Sequence, residues 1–320
     1  MKTTLQSLQE SISNAVDMID QSQLVSDDLL LQQSTKYSTN SLDFTNANSL
    51  LDKCEQVINS YQSAKPIMRV IHHFACSGGT LFTKCLSSMA NTFILSEVHP
   101  HFYQHLQPDM ATFLPSDIAT LAMQAGVPDP NKLARKIFHQ SVKSVHEHVD
   151  LRGGILVLRD HSHSDFCVGT EYRQKTLITE LLKDDFDVIS IATVRNPIDA
   201  YFSLLANGWV HFSPQTFDAY CERLSQFLVQ FKKQNIIYYE DFVSRPQKIM
   251  EKMCSILNVE YDESFMDLYD QFKVTGDSGR KTNDISKRRR REVSAALKNE
   301  IEDSEYFRLI CKEYKFHSAV

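Results

Sequence analysis

The sequence predicts an α/β protein, a parallel β-sheet flanked by helices, with an N-terminal helical extension. Three observations carry that expectation. From Pro66 onward, strand-like and helix-like stretches alternate, the order that builds a parallel sheet between helical layers. Residues 188–194, VISIATV, are almost entirely apolar, as in a strand covered on both faces. Residues 68–89, MRVIHHFACSGGTLFTKCLSSM, run from an apolar stretch through a glycine turn into helical spacing.

That third stretch organises the rest. Val70, Ile71 and Phe74 predict a buried strand; Ser77, Gly78, Gly79 and Thr80 make the turn; Leu81, Phe82, Cys85, Leu86 and Met89 recur at helical spacing. The first N–H groups of a helix lack partners inside it, and its macrodipole puts partial positive charge there, so this unit is built to cradle an anion. Two glycines are expected to let the backbone approach a phosphate without a Cβ in the way. His72 and His73, inside the strand, are assigned to structure.

Composition bounds the alternatives. The chain has 320 residues, 42% hydrophobic and 23% charged, with net charge -6. That length suits one large α/β domain with an appendage. Mild acidity argues against general nucleic-acid or membrane-surface binding. Seven scattered cysteines without a CxxC pair imply free thiols in a reducing compartment and no zinc site. The polar, acidic start lacks a signal-peptide core, and no apolar run reaches the roughly 20 residues of a membrane span. A cytoplasmic protein with no integral membrane segment is expected; the oligomeric state is not legible.

Residues 1–64 are rich in Gln, Ser, Asn and Thr. Leu5, Leu8 and Ile12 hint at one helix, and Leu50, Leu51, Cys54, Val57, Ile58 and Tyr61 form a stronger stripe; packing, not chemistry, is their expected role. The main domain, residues 65–320, continues with a strand at 92–96 and a mainly helical stretch to about 149. A strand at 154–159, a helix at 176–183 and the 188–194 strand follow. Pro197 opens a helix; a helix at 217–233, a strand at 235–239, a helix at 246–257 and one closing amphipathic helix at 292–314 complete the chain. In such a sheet the ligand sits at the carboxyl ends of the strands.

The second chemical constellation lies just past 188–194, in Val194-Arg195-Asn196-Pro197-Ile198-Asp199, with Ser203 about two helical turns on. An arginine at a strand's carboxyl end offers a bidentate donor beside the glycine turn's crevice; a local pair with Asp199 is the plain alternative. Here the chain resembles a known family. CSGGT after one strand and RNPxDxxxS after another are similar to the donor-binding motifs of sulfotransferases using 3′-phosphoadenosine 5′-phosphosulfate (PAPS). Tyr239-Glu240-Asp241-Phe242 with Arg245-Pro246, and residues 274–281 followed by the basic run 287–291, resemble further segments of that family in the same order. The resemblance spans about residues 66–316.

The resemblance implies a P-loop-like sheet and transfer of a sulfuryl group from PAPS, as co-substrate and without a metal, to an acceptor hydroxyl or amine. The acceptor would be a small molecule, carbohydrate or lipid. On this match Ser77, Gly78, Gly79 and Thr80 hold the 5′-phosphosulfate; Arg195 and Ser203, joined by Gly279, Arg280 and Lys281, hold the 3′-phosphate. One departure stands out: many members carry lysine just before the loop serine, where this chain has Cys76, and Lys84 lies a helical turn beyond Thr80. The missing lysine also breaks the GxxxxGK[ST] pattern, which counts against the alternative of a P-loop nucleotide kinase or phosphotransferase. A catalytically inactive nucleotide-binding module is the other alternative.

A base must take the acceptor's proton. Leu158-Arg159-Asp160-His161 is similar to the segment carrying the family's catalytic histidine, which places His161 at the base position and Arg159 beside the sulfuryl group. An imidazole titrating near neutrality suits that work. Glu97, in Ser96-Glu97-Val98-His99, is its rival because carbohydrate-modifying members use a glutamate, and His99 and His163 stand behind these two.

Overall fold

The computed structural model describes residues 65–101, 116–275, 284–287 and 293–316, all within the unit Lys65–Val320. The expected extension over residues 1–64, the loop residues Gly279, Arg280 and Lys281, and most of the basic run lie outside the described residues.

Five strands form one parallel sheet: β1 Ile67–His73, β2 Thr92–Val98, β3 Ile155–Asp160, β5 Asp187–Val194 and β7 Ile236–Tyr238, in the order β2-β3-β1-β5-β7. Two residues each of β4, Val168–Gly169, and β6, His211–Phe212, pair in a separate parallel ribbon. The first strand is therefore central, with β3 and β5 as neighbours. Alternation sorts its side chains: Met68 and Val70 join one core with Leu156, Leu158, Ile178 and Leu182, while Ile71 joins another with Leu81, Phe82, Ile191 and Phe242. Both faces are thus covered by helices, as the apolar β5 predicts. The helices Gly79–Ser87 and Pro246–Leu257 supply the second face. Those at Pro197–Ala206, Phe217–Leu228 and Glu305–Tyr314 close a third cluster around Phe74 and Val194.

Several boundaries differ from expectation. The strand expected to end at Ser96 runs through Val98, with a register shift between Leu95 and Val98. The strand expected at 235–239 has three residues, because Tyr239 already begins the helix Tyr239–Ser244, and the helix expected to reach Lys233 stops at Leu228. The single closing helix is instead two, Ala295–Asp303 and Glu305–Tyr314. Ser304 breaks it: its hydroxyl accepts from the Phe307 N–H at 3.0 Å, a helix N-cap, and donates to Asp218 at 2.5 Å. The expected apolar set still points inward, with Leu297, Ile301, Phe307 and Ile310 buried.

Register pairing sets His72 of β1 opposite Asp160 of β3. Nδ1 of His72 lies 2.7 Å from Asp160 Oδ2, which also accepts from the Ser162 hydroxyl at 2.7 Å. Burial pushes the Asp160 carboxyl up, but the His72 and Ser162 hydrogen bonds and the neighbouring imidazoles outweigh it and hold the carboxyl below its ordinary value. A depressed carboxyl contributes stability above its unfolded value, about 3.9, that is lost as pH falls through the folded one. Asp160→Ala should therefore cost about 3 kcal/mol at neutral pH. In denaturant titrations its gap to wild type should shrink as pH drops below about 4; a pH-independent gap would refute the pair's role.

Candidate active site at the carboxyl ends of the sheet

The glycine turn joins the end of β1 to the helix Gly79–Ser87, as expected. Its glycines are closely packed by the protein itself. Gly78 has φ +87°, and a Cβ there would lie 2.6 Å from the Tyr239 ring; a Cβ on Gly79 would lie 2.6 Å from the His73 ring. The loop is clamped between two side chains of the protein, tyrosine against one glycine and histidine against the other. A side chain at either position would collide with these rings. Gly79→Ala should lower stability by about 1–3 kcal/mol through this overpacking; an unchanged melting temperature would show that His73 moves aside without cost.

Tyr239 also joins the two halves of the site. The Arg195 guanidinium lies 5.1 Å from its ring centroid, within cation–π reach, and donates to Ser203 at 3.4 Å. Asn196 caps the helix Pro197–Ala206 through its side chain and donates its backbone N–H to Glu240 at 2.9 Å. Burial pushes the Glu240 carboxyl up. Tyr239 and Glu240, quoted in the sequence only as part of a motif, thus fix the glycine loop and the arginine helix relative to each other. Arg195 and Ser203 come together as expected. Arg195→Ala should weaken adenosine 3′,5′-bisphosphate by about 2–4 kcal/mol and hardly affect the analogue without the 3′-phosphate; calorimetry giving equal losses would remove Arg195 from that role.

Across the sheet, β2 and β3 bring Glu97, Arg159 and His161 into one cluster. Arg159, 5% exposed, forms an ion pair with Glu97. It also donates to Ser96 at 2.9 Å and to the Thr275 carbonyl at 3.1 Å, and its other terminal nitrogen lies 3.5 Å from the Thr80 hydroxyl of the glycine loop. His161 turns Nε2 toward Glu97 at 3.6 Å and holds Nδ1 2.7 Å from the Ser164 hydroxyl. Glu97 sits at φ +60°, a left-handed backbone that a long side chain rarely adopts and that marks stored strain. Burial raises its carboxyl above the ordinary value; the Arg159 charge opposes that and the Asp160 charge adds to it.

The two rivals for the base are therefore partners. His163 lies one ring further out, 5.9 Å from His161 and 5.6 Å from His211 between centroids. His99 is occupied elsewhere: Nε2 binds the buried Asp165 at 3.1 Å and Nδ1 accepts the His101 N–H. Cys76 takes φ +60° and is half-buried at the mouth of the glycine loop, and Lys84 lies on the helix Gly79–Ser87, half-buried. Among the described residues, no group of three or more His, Cys, Asp or Glu could hold a metal ion. No helix of those residues is long and apolar enough to cross a membrane.

No protein-family model and no curated protein sequence matches the chain. Solved structures do. The sulfotransferase domain of the Synechococcus PCC 7002 olefin synthase aligns at TM-score 0.44 and 17% identity, covering 68% of this chain and 82% of that one. A sulfotransferase from Alicyclobacillus acidocaldarius aligns at 0.36 and 17%, covering 64% and 89%. A mouse sulfotransferase complexed with PAP aligns at 0.33 and 15%, covering 67% and 66%. All three are sulfotransferases or domains of them.

Proposed function

We propose that this protein transfers a sulfuryl group from PAPS to an acceptor hydroxyl. The observation that carries the reading is the convergence of Thr80, Arg159, Glu97 and His161 from three strand ends beside the Arg195–Ser203 pair. Each part meets a demand of that chemistry. A helix N-terminus and the Arg159 guanidinium suit a phosphosulfate. A second arginine with a hydroxyl, held off the first by Tyr239 and the glycine loop, suits a separate phosphate. The loop's resemblance to the PAPS-binding motif points the same way.

PAPS supplies an activated sulfuryl group whose S–O bond to the 5′-phosphate breaks as the acceptor oxygen bonds to sulfur. The chain's own residues position and deprotonate. Glu97 and His161 form the proton-accepting pair, with the proton coming to rest on Glu97. Ser164 holds the far side of the imidazole, and burial makes the Glu97 carboxylate more basic than a solvated one. Arg159 contacts Glu97 and approaches Thr80 of the loop, so the same cation keeps the base ionised and faces the charge that builds on the leaving phosphate. This is how the protein manages with Cys76 where many relatives carry lysine. The acceptor is a small molecule, carbohydrate or lipid hydroxyl, and the protein works in the cytoplasm.

Glu97→Gln and His161→Ala should each lower kcat for PAPS turnover by about 10²–10⁴-fold. The double variant should be no worse than the poorer single, because the two act on one proton. Because the Glu97 carboxyl is raised, the acidic limb of the wild-type pH–rate profile should lie above the usual carboxylate value of about 4.3 and vanish in Glu97→Gln. Near-normal kcat in Glu97→Gln would transfer the role to His161 alone. Preference for ATP over adenosine 3′,5′-bisphosphate in calorimetry would replace the reading with a phosphotransferase, and donor binding without turnover on any acceptor would leave an inactive nucleotide-binding module.

A further inference from the structure

His73 carries a signal that a purely structural residue does not need. Its ring is buried against Gly79, the second glycine of the loop. One nitrogen, Nδ1, lies 2.5 Å from the Thr193 hydroxyl, and that hydroxyl lies 3.2 Å from the Ser77 hydroxyl. The other nitrogen, Nε2, is buried without a hydrogen-bond partner among the described residues. Burial, the Arg159 charge and His72 hold the ring neutral, so it carries one proton and must place it on one of the two nitrogens.

The two placements order the hydroxyls in opposite senses. With the proton on Nε2, Thr193 donates to Nδ1 and Ser77 donates inward to Thr193. That order buries an N–H with no acceptor, on a ring fixed by the loop above it, which folded proteins rarely tolerate. With the proton on Nδ1, the ring donates to Thr193 and Thr193 donates to Ser77. The Ser77 proton is then free to swing toward the loop's own concave side, and Nε2 is left as a lone pair, less costly to bury than an N–H. A hydroxyl can rotate to meet an anionic oxygen seated in the loop; a wedged imidazole N–H cannot.

We infer that His73 is a positioning residue of the anion loop: protonated on Nδ1, it acts through Thr193 to aim the Ser77 hydroxyl at a phosphate-type oxygen. The identity of that oxygen as the donor's 5′-phosphate rests on the function proposed above; the proton order does not.

Two measurements on the full chain test this separately. Nitrogen-15 NMR of the histidine rings reads the His73 tautomer directly, and the proton should be found on Nδ1; finding it on Nε2 overturns the inference. Calorimetry with adenosine 3′,5′-bisphosphate then compares wild type, Ser77→Ala, Thr193→Val and the double variant. Ser77→Ala should bind about tenfold more weakly, the scale of one hydrogen bond to a charged oxygen. Thr193→Val should lose several-fold alone but less than about twofold in the Ser77→Ala background, since its effect passes through Ser77. Losses that simply multiply would show that Thr193 serves packing only, and would overturn the relay. If wild type fails to bind adenosine 3′,5′-bisphosphate, the donor reading falls while the tautomer still decides the proton order.

Discussion

The buried guanidinium of Arg159 is the joint on which the site depends. It leaves the end of β3 and contacts Ser96 and Glu97 of β2, Thr80 of the glycine loop, and Thr275 beyond the last strand. Burying a cation is costly unless it is paired and hydrogen-bonded, and these partners serve its two terminal nitrogens. They also fix the geometry, because a planar fork of donors accepts few arrangements of oxygen around it. Glu97 is held to this fork through a backbone conformation it would otherwise avoid. The strain at Glu97 and the burial of Arg159 are two sides of one constraint: the strand must turn its carboxylate back over the sheet to neutralise the arginine.

A second constraint acts from below. His73 and Tyr239 grip the two glycines from opposite neighbours, and Tyr239 passes the grip on to Arg195. The distance between the loop and the second arginine is thereby set by an aromatic ring, not by flexible backbone. A ligand with two separated anionic groups meets a ruler already cut to length, which lowers the ordering cost of binding.

Much of this was legible in the sequence. The nearly continuous apolar run of β5 and the strand–glycine–helix unit that begins with β1 are local patterns, and local patterns survive in a linear text. Arg195 with Ser203 is legible for the same reason, since the two lie eight residues apart, just before and within one helix. Other features were hidden because they arise between distant segments. Glu97 interrupts the strand pattern, so the sequence ends β2 at Ser96; only its pairing with β3 carries it to Val98 past a register shift. Ser304 looks harmless inside an amphipathic helix, and its break comes from Asp218, 86 residues away. A sequence lists candidates one after another and so makes rivals of His161 and Glu97, whereas the sheet sets them side by side. The glycine pattern shows that something approaches closely; that His73 and Tyr239 do so is hidden, because Tyr239 lies far along the chain.

The central place of β1 also sets a timetable. His72 meets its partner 88 residues later in the chain and His73 meets its own 120 residues later. Non-local pairings of this kind close slowly. On a ribosome adding about 5–20 residues per second, β1 waits on the order of ten seconds before β5 has been made. Both of its edges are open until β3 has been made and one stays open until β5 has, and Thr193 is not yet there to hold the His73 ring beneath the loop. The nascent chain is then exposed to mispairing at its central strand, and chaperone protection matters most before Thr193 has emerged.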